Sequence, residues 1–326
     1  ATYLRMGQVD KAIATLPANL DEVDNDAALL AVAGQAYMIH GDQERAQRYF
    51  AKASALDPKD PVKRTSLAMS KMVAGQTDAG FNELQDIAAS DTGVVADMAM
   101  INVLARQGKL DEALKAIEQL SKKRANDPIP SHLRAQVLMK KGDTAGARKA
   151  LESALEAAPD FFPAVSALSE LDLVQKQPDA AQKRYEDLLK RKPDSVQALL
   201  GLARVKSIRK AGKEEVASLL RKAVEVGPNE VLPRQLLVAH HLRNQEPKLA
   251  LTAAQNAVAA LPKSAELLDT LGQAQMAAKE FNQAVSTYGK MAALQPQSTL
   301  PHLRMAGVYM ANKDPAGAAQ SLRKAL

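Results

Sequence analysis

One pattern returns about every 34 residues along the 326-residue chain. Gly41, Ala46, Ala53 and Pro58 carry one copy, and Gly142, Ala147, Ala154 and Pro159 carry another with the same internal spacing. A fixed period of this length means one helix-turn-helix unit stacked many times, each unit closing its core only against its neighbours. Such an architecture exposes long surfaces and points towards binding rather than chemistry.

With the turn Gly set at position 15, the repeats fall at 27–60, 61–94, 94–127, 128–161, 162–195, 196–230, 231–264 and 265–298. An incomplete repeat occupies 299–326, and 1–26 hold the remainder of an upstream one. The expected domain is a single solenoid over 1–326, a fragment of a longer chain. The proline spacing supports the frame: Pro159 to Pro193, Pro228 to Pro262 and Pro262 to Pro296 are each 34 apart. Pro193 to Pro228 is 35, with the extra residue near Ala211 and Gly212.

Each slot has a physical reason. Position 8 (Gly34, Ala68, Ala135, Ser169, Ala203, Gly272, Ala306) and position 20 (Ala46, Ala113, Ala147, Ala181, Ala250, Ala284, Ala318) are small. Small side chains there let antiparallel helices approach closely. Position 24 is large (Phe50, Leu84, Leu151, Tyr185, Leu220, Tyr288) and is expected to fill the gap against the next unit. The prolines end second helices, because proline lacks an amide donor. Gly41, Gly75, Gly108 and Gly142 supply the positive φ that ends first helices. Lys176, Gln245, Lys279 and Lys313 stand in that place later, so those turns must change geometry or accept strain.

The hydrophobic share is 46%, with only 3% aromatic residues and no Trp, which suits Ala/Leu-packed helices and disfavours strands. The chain has no Cys, which excludes disulfides and thiolate metal sites. The net charge is +6, but the basic and acidic residues are interspersed, as on solvated helix faces, so no nucleic-acid partner is expected. No run is long and apolar enough to span a membrane. His240 and His241 are neighbours on a helix and point about 100° apart, so they do not share a metal. Neither a phosphate loop nor a nucleophile motif is present, so no cofactor, metal or catalytic residue is assigned.

These slots together are the tetratricopeptide signature, and the chain resembles that family over essentially its whole length. The resemblance implies an all-α, right-handed superhelix (an α-α solenoid) of about nine helix-turn-helix repeats. Its first helices would line a concave groove through positions 2, 5, 9, 12 and 13. Position 12 would present a methionine-rich ladder: Met38, Met72, Met139, Leu173, Leu242, Met276 and Met310, with Ser207 interrupting it. Packing between units is the competing reading of that ladder. Position 9 would add Gln35, Met69, Asn102, Gln136, Arg204 and Gln273. Amides beside flexible thioethers suit an extended peptide. Chaperone-binding members grip a carboxylate with Lys, Asn and Arg over three successive units. Ala31, Gln35, Ser66, Val95 and Ala99 do not supply that set.

The segments 161–189, 267–275 and 292–326 also resemble the tetratricopeptide lipoprotein of bacterial PEP-CTERM/exosortase systems. This narrower likeness implies surface-protein sorting or exopolysaccharide export, with a periplasmic or outer-membrane location. Membrane attachment would come only through a lipid anchor outside this segment, and the absence of Cys leaves a cytoplasmic location open. The expected function is a noncatalytic scaffold for a protein or peptide. A polysaccharide-binding module and an accessory domain of an enzyme are the alternatives.

Overall fold

The structure, a computed structural model, describes residues 1–22 and 25–326. Those residues form twenty α-helices and no strand. The chain divides into two compact units, Ala1–Ala158 and Pro159–Leu326.

The first unit opens with α1 (Thr2–Arg5), α2 (Val9–Ala14) and a 3-10 turn (Leu20–Glu22). Four antiparallel pairs follow: α3 (Ala27–His40) with α4 (Gln43–Leu56), α5 (Pro61–Val73) with α6 (Thr77–Ser90), α7 (Val95–Arg106) with α8 (Leu110–Lys123), and α9 (Pro128–Lys140) with α10 (Thr144–Ala157). The second unit has five pairs: α11 (Phe162–Val174) with α12 (Pro178–Arg191), α13 (Val196–Ile208) with α14 (Lys213–Val226), α15 (Val231–Arg243) with α16 (Pro247–Ala260), α17 (Ala265–Ala277) with α18 (Phe281–Leu294), and α19 (Leu300–Ala311) with α20 (Pro315–Ala325).

Local chemistry sets the helix ends. Asp26, Asp42, Asp60, Asp127, Asp143 and Asp314 accept backbone amides of the first turn that follows, satisfying donors that have no partner within the helix. Pro58, Pro159, Pro193, Pro228, Pro262 and Pro296 each stand two residues beyond the end of a second helix. The extra residue of the 196–230 repeat lies in the turn between α13 and α14, leaving both helices regular.

The turn at position 15 keeps one geometry whatever residue occupies it. Gly41, Gly75, Gly108 and Gly142 have φ of 95°, 88°, 75° and 80°. Lys176, Lys210, Gln245, Lys279 and Lys313 adopt φ of 58°, 55°, 57°, 63° and 61°. The same closing bond forms in both groups: the amide of Gln76 bonds the carbonyl of Lys71 at 2.9 Å, and that of Glu280 bonds Gln275 at 2.8 Å. The later turns therefore accept left-handed strain, on the order of 1 kcal/mol per side-chain-bearing residue, instead of changing shape.

Positions 8 and 24 are complementary in volume. A side chain on Gly34 would meet the Phe50 ring at 2.8 Å, and one on Gly272 would meet Tyr288 Cε1 at 2.6 Å. Where position 8 is Ala203, position 24 is Leu220, and both lie in one apolar cluster. Where position 8 is Val238, position 24 shrinks to Ala254, again in one cluster. Position 24 was expected to fill the gap towards the next unit, yet Phe50 and Tyr288 pack within their own repeat. Tyr185 does reach the next repeat, lying 2.9 Å (Cδ1) from where a Gly201 side chain would start. Ser169 at its own position 8 leaves no glycine gap for that ring. The 94–127 repeat departs from the pairing, with Ile101 and Ile117 in the same cluster.

Candidate functional site: the inner faces of the first helices

Successive first helices touch one another: α3 with α5 and α5 with α7 in the first unit, α11 with α13 and α15 with α17 in the second. No pair of successive second helices makes comparable contact among the described residues. The contacts that skip a helix thus run along first helices and not second ones, which makes the first-helix surface the inner face of each unit.

The exposed aliphatic residues of that face sit mainly at positions 2 and 13. Val62, Val95 and Ile129 occupy position 2 in the first unit, and Ile39 and Val73 occupy position 13. In the second unit Leu232 and Leu300 take position 2, and Val174 (78% exposed) and Ile208 take position 13. These two positions are the outermost on the inward stripe of a 13-residue helix, so the neighbouring units cover them least.

The position-12 ladder divides. Met139 and Met310 are exposed, at 46% and 62%. Met38, Met72, Leu173, Leu242 and Met276 are half-buried. Met72 Cγ occupies the space that a Gly80 side chain would enter on α6. Leu242 and Met276 pack against the apolar clusters of their own repeats. Position 12 thus straddles groove and core.

Position 9 is more open. Gln35, Asn102, Gln136, Arg204 and Gln273 are exposed, and Met69 is half-buried. Most of its polar groups are braced by neighbours. Gln136 donates to His132 Nε2 at 3.0 Å, and burial lowers the His132 pKa, keeping that ring neutral and accepting. Arg204 makes a two-pronged pair with Glu170 of the preceding repeat, with Nη2 to Oε2 at 3.0 Å. That hydrogen bond raises the Arg204 pKa. Gln273 donates to Asp269 at 2.8 Å, and Asp269 also receives Arg304 Nε at 2.7 Å and Nη2 at 3.0 Å. Arg–carboxylate forks of this kind tie one first helix to the next with fixed geometry.

The inner face deepens into one groove of about 610 Å³ across the repeats that begin at 162, 196 and 231. Leu200, Ile208, Leu232 and Leu236 provide apolar lining, and Gln197, Arg204 and Arg243 provide polar lining. Only Arg204 among the sequence-predicted site residues is in it. The predicted residues of the first unit (Met38, Met72, Met139, Gln35, Met69, Asn102 and Gln136) do not join it, and neither do Leu173, Leu242, Met276, Met310 and Gln273. The signal that marked Ile208 and Leu232 was available in the sequence: an aliphatic residue at a groove position that needs no partner within its own repeat.

His240 and His241 are both buried and face different groups: His240 Nε2 lies 2.8 Å from the Lys213 carbonyl, and His241 Nδ1 lies 2.8 Å from Glu246 Oε2. Among the described residues, no group of three or more His, Cys, Asp or Glu converges as a metal site would require, and no helix is long and apolar enough to cross a membrane.

Models of the tetratricopeptide repeat match residues 27–60 and 138–205, and a model of a tetratricopeptide repeat-like domain matches 64–167. The human protein O-mannosyl-transferase TMTC1 is 24% identical over 201 residues, covering 59% of this chain and 22% of that protein. The chain thus spans about a fifth of that relative's length. The crystal structure of the C-terminal part of a TPR repeat-containing protein from Cytophaga hutchinsonii superposes with a TM-score of 0.50 at 15% identity, over 69% of this chain and 93% of that one. Yeast Tom70 gives 0.48 at 14% identity, over 99% and 82%.

Proposed function

Because this chain belongs to the tetratricopeptide repeat family, we propose that it is a noncatalytic scaffold that holds an extended peptide or protein segment on its inner face. The groove lined by Leu200, Ile208, Leu232 and Leu236 carries the reading. Ile208 and Leu232 are each about half exposed, at 51% and 53%. Covering each with a ligand side chain contributes on the order of 1 kcal/mol. Arg243 stands among them, makes no ion pair, and favours an acidic residue in the ligand, whereas Arg204 is already held by Glu170.

The cellular setting we propose is a bacterial envelope system for surface-protein sorting or exopolysaccharide export, with the chain held at the membrane by a lipid anchor outside this segment. The support is the sequence likeness of 161–189, 267–275 and 292–326 to that lipoprotein family. Direct polysaccharide binding fits the groove less well, because sugar faces need open aromatic rings. Tyr185 is buried against Gly201 and Phe162 is half-buried beside it. The transferase named among the relatives motivates one other reading, an accessory region of a larger enzyme.

Panning a random peptide library on the protein tests the groove. Enriched peptides should bind with fluorescence anisotropy in the micromolar range and lose at least tenfold with Ile208→Glu/Leu232→Glu. Equal binding to that variant would refute the groove assignment. Detecting the full-length protein only in the soluble cytoplasmic fraction of its native cells would refute the envelope setting.

A further inference from the structure

Elsewhere in the second unit, α14, α15 and α16 line a second, open-sided cavity of about 300 Å³. Its lining is cationic and apolar: Arg221, Arg234, His241, Thr252 and Asn256 with Val224, Leu237 and Leu249. No acidic residue lines it. We propose that this cavity binds a short aliphatic carboxylate, a ligand class unrelated to the inner groove.

The polar groups around it are incompletely matched. Arg234 donates through Nη2 to the Pro228 carbonyl at 2.7 Å, while its Nε is buried without a partner. That Nε is sealed from the cavity, but Nη1 makes no hydrogen bond to the protein and is the guanidinium nitrogen open to a carboxylate oxygen. Arg221 pairs with Glu214, whose side chain is 77% exposed, so solvent weakens that pair and leaves it open to exchange. His241 gives Nδ1 to Glu246, which Lys213 also holds. These carboxylates lie outside the cavity lining.

The equivalent cavity of the first unit shows the matched state. It lies between α6, α7 and α8 and has Asp97 at position 4, where the second cavity has Arg234. Asp97 is buried, and Lys123 donates to its Oδ2 at 2.7 Å and to the Ala88 carbonyl. One cavity thus contains its own carboxylate, and the other presents the cation without one. The arginine fork supplies two parallel donors suited to a carboxylate, and Leu237, Leu249 and Val224 suit a branched aliphatic tail.

Titration of the intact protein with N-acetyl-leucine, N-acetyl-leucinamide, inorganic phosphate and an acetylated tetrapeptide ending in leucine tests this by NMR shifts of α15 and α16. The free acid should shift them saturably at millimolar concentration, and the amide should bind at least tenfold more weakly. Arg234→Gln should weaken the acid at least tenfold. Leu249→Glu, which places a carboxylate at the cavity wall, should abolish binding while the protein stays folded, keeping the test valid if Arg234→Gln unfolds. Stronger binding of the tetrapeptide would assign the carboxylate to a chain terminus, and weaker binding to a free acid, both within the proposal. Phosphate binding as tightly as the acid, equal binding of the amide, or no saturable shift would overturn it.

Discussion

Gly272→Ala adds one methyl group facing Tyr288, a fully buried residue. The new carbon would stand 2.6 Å from Cε1 and 2.7 Å from the hydroxyl oxygen, against about 3.5–4.0 Å for comfortable contact. The ring is locked between α17 and α18 and cannot yield by an ångström without moving a helix. Overpacking of this kind costs about 1–3 kcal/mol, offset by about 0.5–1 kcal/mol of helix propensity as glycine becomes alanine. The expected net loss is about 1–2 kcal/mol. Tyr288→Leu alone leaves a gap but removes a buried hydroxyl that has no partner. The double variant recreates the Ala203–Leu220 pairing found two repeats earlier. It should therefore be at least as stable as Tyr288→Leu alone, a favourable coupling of about 1–2 kcal/mol. Urea denaturation followed by helical circular dichroism measures the cycle. Hydrogen exchange of α17 and α18 localises it, since a repeat array need not unfold in one step. Two independent losses that simply add would refute the volume-pairing argument.

The turns and one surface carboxylate offer further tests. Lys279→Gly/Lys313→Gly should stabilise by about 0.5 kcal/mol per site, the relief of left-handed strain exceeding glycine's extra unfolded-state entropy, whereas Gly75→Ala should lose about 1 kcal/mol; a higher urea midpoint for the first and a lower one for the second is the expected readout. Asp187 accepts from Lys183 and Lys190, which lower its pKa to about 2. Its stabilising contribution is therefore present above the unfolded value near 4 and is lost as pH falls towards 2. Urea midpoints measured between pH 5 and 2 should show a shallower acid decline for Asp187→Asn than for the parent protein.

Much of the fold was legible because its rules are local. The 34-residue spacing, the prolines beyond the second helices and the position-15 turn each depend on residues within one repeat. The groove was only partly legible. Arg204 was identified, but its engagement with Glu170 spans two repeats and depends on how neighbouring helices are staggered. The methionines at position 12 were visible as a ladder, yet whether each faces solvent depends on its surroundings: Gly80 lets Met72 pack against α6 and become half-buried, while Met139 remains open.

The sequence by itself determined the repeat, its register and its all-helical class, since period, caps and turn residues act through nearest neighbours along the chain. Only the tertiary structure decided which side chains stay exposed, where Tyr185 lodges and which cavity holds an arginine with no carboxylate partner. Those outcomes depend on volumes and donor–acceptor matches between packed helices of the same and neighbouring repeats, which the linear spacing of residues does not encode.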